Sequence, residues 1–182
     1  MKVIKKDGFE PKATLYSILE GESPITMAKS TGIAIIELST DLENLNPVIV
    51  VTVADRFETM ATAIAASYMN MKLAHTQGGE ITGSIDESVR HAITKLSHIH
   101  FPATERAKNN IIKMGENPDH VFMTGCPSLD LLNELDLKLY KNIFDKYKGV
   151  GAQIDISKPY IIVLQHPVTT EFDLSLKQIE IT

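Results

Sequence analysis

Short apolar runs alternate with helix-like segments through the middle of the chain, and this alternation restricts the fold more than any other feature of the sequence. Strands separated by helices at this spacing indicate βαβ units, which require a parallel sheet. The fold class is therefore α/β. The first run is continuous rather than alternating, so we expect a strand buried on both faces. The predicted strands are 48–53, 72–76, 98–103 and 120–124, and the predicted helices between them are 57–70, 86–97 and 104–114.

The segments outside this core are less regular. A long helix is predicted to start at Pro24, because Ser23 can cap its free amide groups and proline suits the first helical position. Pro47 ends that helix. Residues 1–22 suit either a strand or a helix.

The pattern changes after residue 126, where the sequence becomes more polar. A lone parallel strand is not stable by itself, so we expect a second domain that is truncated at the C-terminus of this sequence. The predicted elements in this part are helices at 129–139 and 140–148 and a buried strand at 159–164. We therefore predict a first domain at 1–126, a linker with helices at 127–157, and the start of a second domain at 158–182.

Composition and charge exclude several classes of function. The net charge of −5 argues against a nucleic-acid binder with a broad basic surface, because neutralising phosphates needs clustered Lys and Arg. Cys126 is the single cysteine, which excludes an intramolecular disulfide and fits a reducing compartment. No apolar run approaches the roughly 20 residues that span a bilayer, and the first residues lack the apolar core of a signal peptide. We expect a cytoplasmic protein whose partners are small molecules or itself.

Polar residues follow the first predicted strand directly. Asp55, Arg56 and Glu58 stand where that strand ends, and in an open parallel sheet ligands bind outside the carboxyl ends of the strands. Acidic side chains also suit an ordinary helix start, where they accept hydrogen bonds from free amide groups and interact favourably with the helix dipole. The alternative is a site with a carboxylate as general base and a guanidinium that binds phosphate.

A second polar group lies at the end of the strand predicted at 72–76 and in the segment that follows it. It comprises His75, a glycine-containing loop with Glu80, and Asp86 and Arg90 one helical turn apart. Each has an ordinary explanation as a core histidine, a turn, or a solvated ion pair at i,i+4. The same spacing also places an acid and a cation in one pocket at the edge of the sheet.

The remaining histidines give weaker signals. His98 and His100 share a strand face, but no third ligand follows at a recognisable spacing, so we predict no metal site. His166 follows the predicted strand at 159–164, where it would face a cleft between domains.

Five segments of this sequence, in this order, resemble the hydrolysing UDP-N-acetylglucosamine 2-epimerases, which make N-acetylmannosamine or a diacetylated relative for sialic or legionaminic acid synthesis. The resemblance runs from about residue 7 to the last residue. The segments are Asp-Arg-Phe-Glu at 55–58, His-Thr-Gln-Gly-Gly-Glu at 75–80, Gly-Ser-Ile-Asp-Glu-Ser-Val-Arg-His-Ala-Ile-Thr-Lys-Leu-Ser-His at 83–98, Gly-Cys-Pro-Ser-Leu-Asp at 125–130, and Leu-Gln-His-Pro-Val-Thr-Thr at 164–170.

The resemblance implies a glycosyltransferase-B type fold, with substrate between two Rossmann-like domains. Residues 1–126 would then be an N-terminal Rossmann-like domain without its first strands, and 158–182 the start of a nucleotide-binding domain. The chain would be truncated at both ends and inactive by itself. Implied partners are a UDP-sugar substrate and, in the full-length protein, further copies in a dimer or tetramer, with no cofactor, nucleic acid or membrane.

The resemblance also assigns roles to individual residues. Removal of the C2 proton expels UDP from the sugar, and water then adds to the resulting 2-acetamidoglucal. The family has glutamate at the position of Gln77, and an amide cannot exchange a proton at neutral pH, so Glu80 is an alternative. The family also has glycine where this chain has Ala54. The implied catalytic residues are Asp55, Asp86, Gln77 and Glu80, and the implied substrate-binding residues are Arg56, His166, Arg90 and His75.

Other functions fit parts of the same pattern. A non-hydrolysing epimerase would return UDP-N-acetylmannosamine. A non-catalytic nucleotide-sugar-binding module fits Gln77 and the truncations. A glycosyltransferase shares the fold but leaves the pairing of Asp86 with Arg90 unexplained, since a fold does not fix a function.

Overall fold

The structure is a computed structural model that describes residues 2–21, 23–138, 140, 143–152, 154–166 and 174–181. The chain divides into two compact units, Met1–Cys126 and Pro127–Thr182. The first unit contains the sheet, and it is the unit in which most of the predicted site residues lie.

The first unit begins with a short helix, α1 (Lys2–Lys6), and a long helix, α2 (Pro24–Leu45). Ser23 caps α2 as the sequence predicts, because its Oγ accepts the backbone N–H of Thr26 at 3.3 Å. The Thr26 hydroxyl oxygen in turn accepts the N–H of Ser23 at 3.2 Å, which completes a capping box. At the other end, the left-handed Asn46 closes the helix before Pro47.

Among the described residues, three parallel strands form the sheet in the order β1 (Val50–Val53), β2 (Leu73–Thr76) and β3 (Ile99–Phe101). Helix α3 (Phe57–Tyr68) connects β1 to β2, and α4 (Ile85–Leu96) connects β2 to β3. This arrangement confirms the predicted α/β class.

Helix α5 (Glu105–Lys113) and a 3-10 turn (Pro118–His120) follow the third strand. The prediction of a strand at 120–124 is wrong: Val121 makes an isolated parallel bridge with His100, and the N–H groups of Phe122 and Thr124 donate to the carbonyls of His100 and Pro102 at 2.8 and 3.2 Å.

Small and aliphatic side chains form the core between the sheet and its helices. Alanines on α3 allow that helix to approach both the sheet and α2 closely. The buried cluster comprises Leu42, Val50, Ala63, Ala65, Ala66, Leu73 and Ile93.

The expectation that the strand at 48–53 is buried on both faces is wrong. The strand covers Val50–Val53 and alternates between buried and exposed residues, with Val51 56% and Val53 51% exposed. The reason is its place at the edge of the sheet, with its buried residues turned toward the helices. The opposite face of the strand carries Val51 and Val53, and the described residues leave about half of their surface open to solvent.

The second unit contains much less regular structure than the sequence predicts. In place of the helices predicted at 129–139 and 140–148, it has α6 (Pro127–Asp130), a 3-10 turn (Leu131–Asn133) and α7 (Ile143–Lys146). Residues 139, 141 and 142 lie outside the described residues. Helix α8 (Ser175–Ile181) is the last described element.

The prediction of a strand at 159–164 is also wrong. This segment has no strand conformation, and its apolar side chains are open to solvent, with Ile161 89% and Leu164 80% exposed. A parallel strand needs a neighbour to satisfy its backbone groups, and none of the described residues pairs with this segment. In the described part of the chain, no helix has both the length and the apolar character that crossing a bilayer requires.

Gly79 offers a direct test of the packing between the loop after β2 and helix α5. It has φ +81°, and a Cβ there would lie 2.3 Å from the carbonyl oxygen of Ala107. Gly83 has φ +74° but open space around it. Gly79→Ala should therefore lower the free energy of unfolding by roughly 2–4 kcal/mol, against about 1 kcal/mol for Gly83→Ala. Urea denaturation of both variants measures the difference, and equal losses would contradict the close contact.

Candidate active site

The chain leaves both β1 and β2 through a residue with a positive φ angle. Ala54 has φ +59° and Gln77 has φ +58°. Each first continues the ladder: the N–H of Ala54 donates to the Thr76 carbonyl at 3.1 Å, and that of Gln77 to the Phe101 carbonyl at 3.0 Å. An L-residue in this conformation costs about 1–2 kcal/mol. This conformation turns the following residues across the carboxyl edge of the sheet. Because glycine adopts it without that cost, glycine suits position 54.

Asp55, the first residue after that turn, forms an ion pair with Arg90 of helix α4. The guanidinium Nη2 donates to the carboxylate Oδ2. The Arg90 side chain is only 5% exposed, whereas that of Asp55 is 20% exposed. The carboxylate therefore keeps a face open to solvent while the cation behind it is enclosed.

The second arm of Arg90 holds the loop that follows β2. Its Nη1 donates to the backbone carbonyl of Glu80 at 2.7 Å. The hydroxyl of Thr82 lies at the limit of the same nitrogen's reach, at 3.5 Å. In this arrangement both terminal nitrogens of Arg90 point at protein groups rather than into open space.

Asp86 and Arg56 lie on the open side of the same edge. Asp86 is exposed in the first turn of α4, where its Oδ2 accepts the Ser84 hydroxyl at 3.3 Å. The Arg56 side chain is 72% exposed and pairs with Glu58 at 2.9 Å. A hydrogen bond to Glu58 and that residue's charge raise the pKa of Arg56, with smaller contributions from Asp86 and Asp55. A cation here thus interacts with both acids.

Glu58 responds to the same ion pair. Burial by itself would raise the pKa of Glu58, but the hydrogen bond and charge of Arg56, with a backbone hydrogen bond, lower it overall. The carboxylate accepts both Nε and Nη2 of Arg56, at 3.1 and 2.9 Å. This bidentate pair fixes the direction of an otherwise exposed guanidinium.

His75 has no exposed surface, and both ring nitrogens contact protein atoms. Its Nε2 lies 2.8 Å from the carbonyl oxygen of Ala54, and its Nδ1 lies 3.2 Å from the hydroxyl of Thr94. A carbonyl oxygen only accepts, so the ring hydrogen is on Nε2. Burial lowers the pKa of His75 to about 4, which keeps the ring neutral.

Gln77 and Glu80 flank two glycines that leave no room for side chains. A Cβ on Gly78 would lie 2.8 Å from Nδ1 of His75, so the loop passes directly over the buried histidine. The side-chain amide of Gln77 donates to the sulfur of Cys126 at 3.5 Å. Glu80 is half-buried at the far end of this loop.

A cleft of about 230 Å³ lies between the same loop and helix α5. Asn110 anchors its floor, because its side-chain amide donates to the Gly79 carbonyl at 2.9 Å. The lining residues are Gly79, Glu80, Ile81, Thr104, Arg106, Ala107 and Asn110.

The structure therefore brings together most, but not all, of the residues that the sequence singles out. Asp55, Arg56, Glu80, Asp86 and Arg90 share one edge of the sheet in the first unit.

His166 belongs to the second unit, where it is exposed, and its role stays a prediction. His98 and His100 do not share an environment. The Nδ1 of His98 accepts the Leu73 N–H at 3.2 Å, whereas His100 is buried with its Nε2 3.3 Å from Glu116. No cluster of three metal-binding side chains occurs among the described residues.

Two side chains important to this geometry are not found by sequence reasoning. Thr94 lies one helical turn after Arg90 and contacts His75, yet a threonine in a helix gives no functional signal. Glu87 reads as a simple helix-start acid. Its carboxylate accepts the N–H groups of Thr82 and Gly83 at 2.7 and 2.6 Å, and these hydrogen bonds lower its pKa.

Comparison with known proteins adds a family to this geometry. A family model for UDP-N-acetylglucosamine 2-epimerase matches residues 1–181. The chain is 36% identical over 170 residues to the hydrolysing UDP-N,N'-diacetylbacillosamine 2-epimerase of Legionella pneumophila, covering 93% of this chain and 44% of that protein. It is 31% identical over 180 residues to the hydrolysing GDP/UDP-N,N'-diacetylbacillosamine 2-epimerase of Campylobacter jejuni, covering 98% and 45%.

A solved structure supports the same relationship. UDP-GlcNAc 2-epimerase from Neisseria meningitidis bound to UDP-GlcNAc matches with a TM-score of 0.65 and 26% identity, over 72% of this chain and 36% of that one. This likeness confirms the Rossmann-like parallel sheet of the glycosyltransferase-B type. The chain spans less than half the length of each of these relatives.

The environment of His75 predicts how stability depends on pH. Its pKa falls from 6.5 in the unfolded chain to about 4 in the folded one, because burial outweighs the favourable hydrogen bond to Ala54. Between these values the unfolded chain binds the proton, so stability is full above pH 6.5 and falls as the pH drops toward 4. The loss from this group is roughly 3 kcal/mol.

Urea denaturation at several pH values tests this expectation. Burial also lowers the pKa of His100, so the contribution of His75 is the difference between the wild type and His75→Gln, which should lose less stability on acidification. His120→Gln, at an exposed histidine, is the matched control. Parallel curves for wild type and His75→Gln would contradict a buried neutral ring.

Proposed function

The chain belongs to the UDP-N-acetylglucosamine 2-epimerase family, and we propose that the complete protein is a hydrolysing 2-epimerase. It would convert UDP-N-acetylglucosamine, or a diacetylated analogue, to an N-acetylmannosamine-type sugar and UDP. The names of the Legionella and Campylobacter relatives support the hydrolysing subtype. The observation that carries the proposal is the placement of Asp55 and Asp86 around the exposed cation Arg56.

The proposed chemistry needs two acid/base groups. A carboxylate takes the proton from C2 of the sugar while the bond between C1 and the diphosphate oxygen breaks, which forms a C1–C2 double bond and releases UDP. Water then adds its hydroxyl to C1, and C2 receives a proton on the opposite face. We assign these two roles to Asp55 and Asp86.

The diphosphate requires cations or hydrogen-bond donors that reach solvent. Arg56 meets this requirement, because its side chain is 72% exposed and its direction is fixed by Glu58. We assign His166 to the same role from the resemblance, and it is exposed in the second unit. The leaving group thus departs toward the Arg56 guanidinium, whose charge stabilises the negative charge that develops on the diphosphate.

Gln77 and Glu80 are the remaining catalytic candidates. The amide of Gln77 cannot exchange a proton at neutral pH, and its contact with Cys126 favours a hydrogen-bonding role. Glu80 has an ionisable carboxyl group at the end of the same loop. We therefore assign to Glu80 the proton transfer that the resemblance implies for a glutamate at the position of Gln77. We further propose that the complete protein is a homo-oligomer in the cytoplasm.

The substitution Asp55→Asn in the complete protein tests the assignment. The amide still accepts a hydrogen bond from Arg90 but cannot take a proton, so UDP release should fall by at least about 10²-fold. Stability should fall by less than the roughly 3–5 kcal/mol expected when one partner of a buried ion pair is removed. Phosphorus NMR measures UDP release, and thermal denaturation measures folding.

Glu43→Gln is the matched control, because this exposed carboxylate lies near the end of α2 and therefore at the opposite end of β1. It should retain wild-type turnover. Wild-type turnover in Asp55→Asn would overturn the assignment. A product that keeps its UDP would instead identify a non-hydrolysing epimerase, and binding of UDP-sugars without turnover in the wild type would favour a non-catalytic module.

A further inference from the structure

A closed ring of buried and partly buried contacts holds Asp55 from two sides. The Asp55 carboxylate accepts from Arg90, and the carbonyl of the preceding residue, Ala54, accepts from His75. His75 in turn contacts the hydroxyl of Thr94, which lies one helical turn after Arg90 on α4. The backbone and the side chain at the end of β1 are thus both tied to one helix.

Burial distinguishes this ring from the solvent-facing residues around it. His75 and Thr94 have no exposed surface, and Arg90 is 4% exposed. Their polar atoms face each other behind the sheet edge, while the Asp55 carboxylate reaches solvent. A ligand at this edge therefore meets the carboxylate but not the groups behind it.

The ring explains how a strained residue can precede the carboxylate. Ala54 has φ +59°, a conformation that L-residues avoid. Its N–H bonds to β2 at Thr76 and its carbonyl bonds to His75, so both backbone groups of the strained unit are fixed by the neighbouring strand. Strain of this kind persists where the surroundings over-determine it, and it serves to aim a functional group.

The hydroxyl of Thr94 is the connecting atom. It lies 3.2 Å from Nδ1 of His75 and 3.0 Å from the backbone carbonyl of Arg90. With the ring hydrogen of His75 on Nε2, both Nδ1 and the Arg90 carbonyl are acceptors, so the single hydrogen of this hydroxyl lies between two acceptors and links them. The hydroxyl of Ser97, three residues further along the chain, donates to the backbone carbonyl of Ile93 at 2.7 Å.

We propose that His75, Thr94 and Arg90 are positioning residues that aim the Asp55 carboxylate, and that His75 and Arg90 do not contact the substrate, contrary to the expectation from sequence. The inference rests on the proposed function for the identity of the reaction. A carboxylate that must approach C2 of a sugar closely loses rate steeply when it is displaced, whereas binding of the distant nucleotide is unaffected. Loss of a positioning residue therefore lowers kcat and leaves KM nearly constant.

Thr94→Val in the complete protein is the central test, because it removes the hydroxyl and keeps the branched shape. We expect kcat to fall roughly tenfold with KM changed by less than about twofold. Thr94→Ser restores the hydroxyl and should recover most of kcat. Ser97→Ala is the matched control, since it removes a buried hydroxyl from the residue that directly follows the same helix, outside the ring, and it should behave as wild type.

Arg90→Lys is the second variant and covers the case in which Thr94→Val does not fold. Lysine keeps the charge but loses the second donor arm, so kcat should fall at constant KM. A raised KM with kcat retained, in either variant, would show a substrate contact and overturn the proposal. Wild-type kcat in Thr94→Val, or equal losses in Thr94→Val and Ser97→Ala, would overturn it as well.

Wild-type turnover is measured first and tests the proposed function separately. If the wild type is inactive, that function fails and the ring is judged by nitrogen-15 NMR of labelled histidine. A His75 ring protonated at Nε2, with an Nδ1 signal that shifts in Thr94→Val but not in Ser97→Ala, supports the ring. An unchanged Nδ1 signal overturns it.

Discussion

The pairing of the buried Arg90 guanidinium with the Asp55 carboxylate is the interaction on which the rest of this site depends. A buried cation is costly unless it is paired and hydrogen-bonded. Arg90 meets that condition with a carboxylate after β1 and the Glu80 carbonyl in the loop after β2. One side chain from α4 thereby fixes two strand ends, and the loop with Gly78 and Gly79 must follow the path that this leaves.

The same constraint separates two kinds of charged residue at the sheet edge. Asp86 and Arg56 are exposed, and their opposite charges attract each other. Both side chains are therefore accessible to a ligand. His75 and Arg90 are enclosed, and burial holds His75 neutral. The site thus has an accessible layer that can perform acid/base chemistry and bind phosphate, and a buried layer that sets its geometry.

Local sequence patterns predict the position of this site but not its internal contacts. Asp55 and Asp86 are found because polar residues after parallel strands gather at one edge. The partner of Arg90 is not found, because an acid four residues earlier on the helix reads as a solvated pair, whereas the observed partner is 35 residues away. Apolar runs mislead for a related reason: Val51, Val53 and the segment 159–164 are apolar, but burial depends on neighbours that lie elsewhere in the chain.

The fate of the proton at C2 tests the central claim most directly. The complete protein is incubated in deuterated water with UDP-N-acetylglucosamine, then with UDP-N,N'-diacetylbacillosamine, and the sugar is followed by proton NMR. Elimination and hydration at this site predict release of UDP together with an epimerised free sugar that carries deuterium at C2. UDP release with the original proton retained at C2 would contradict acid/base catalysis by Asp55 and Asp86, and would require a different reaction at this edge of the sheet.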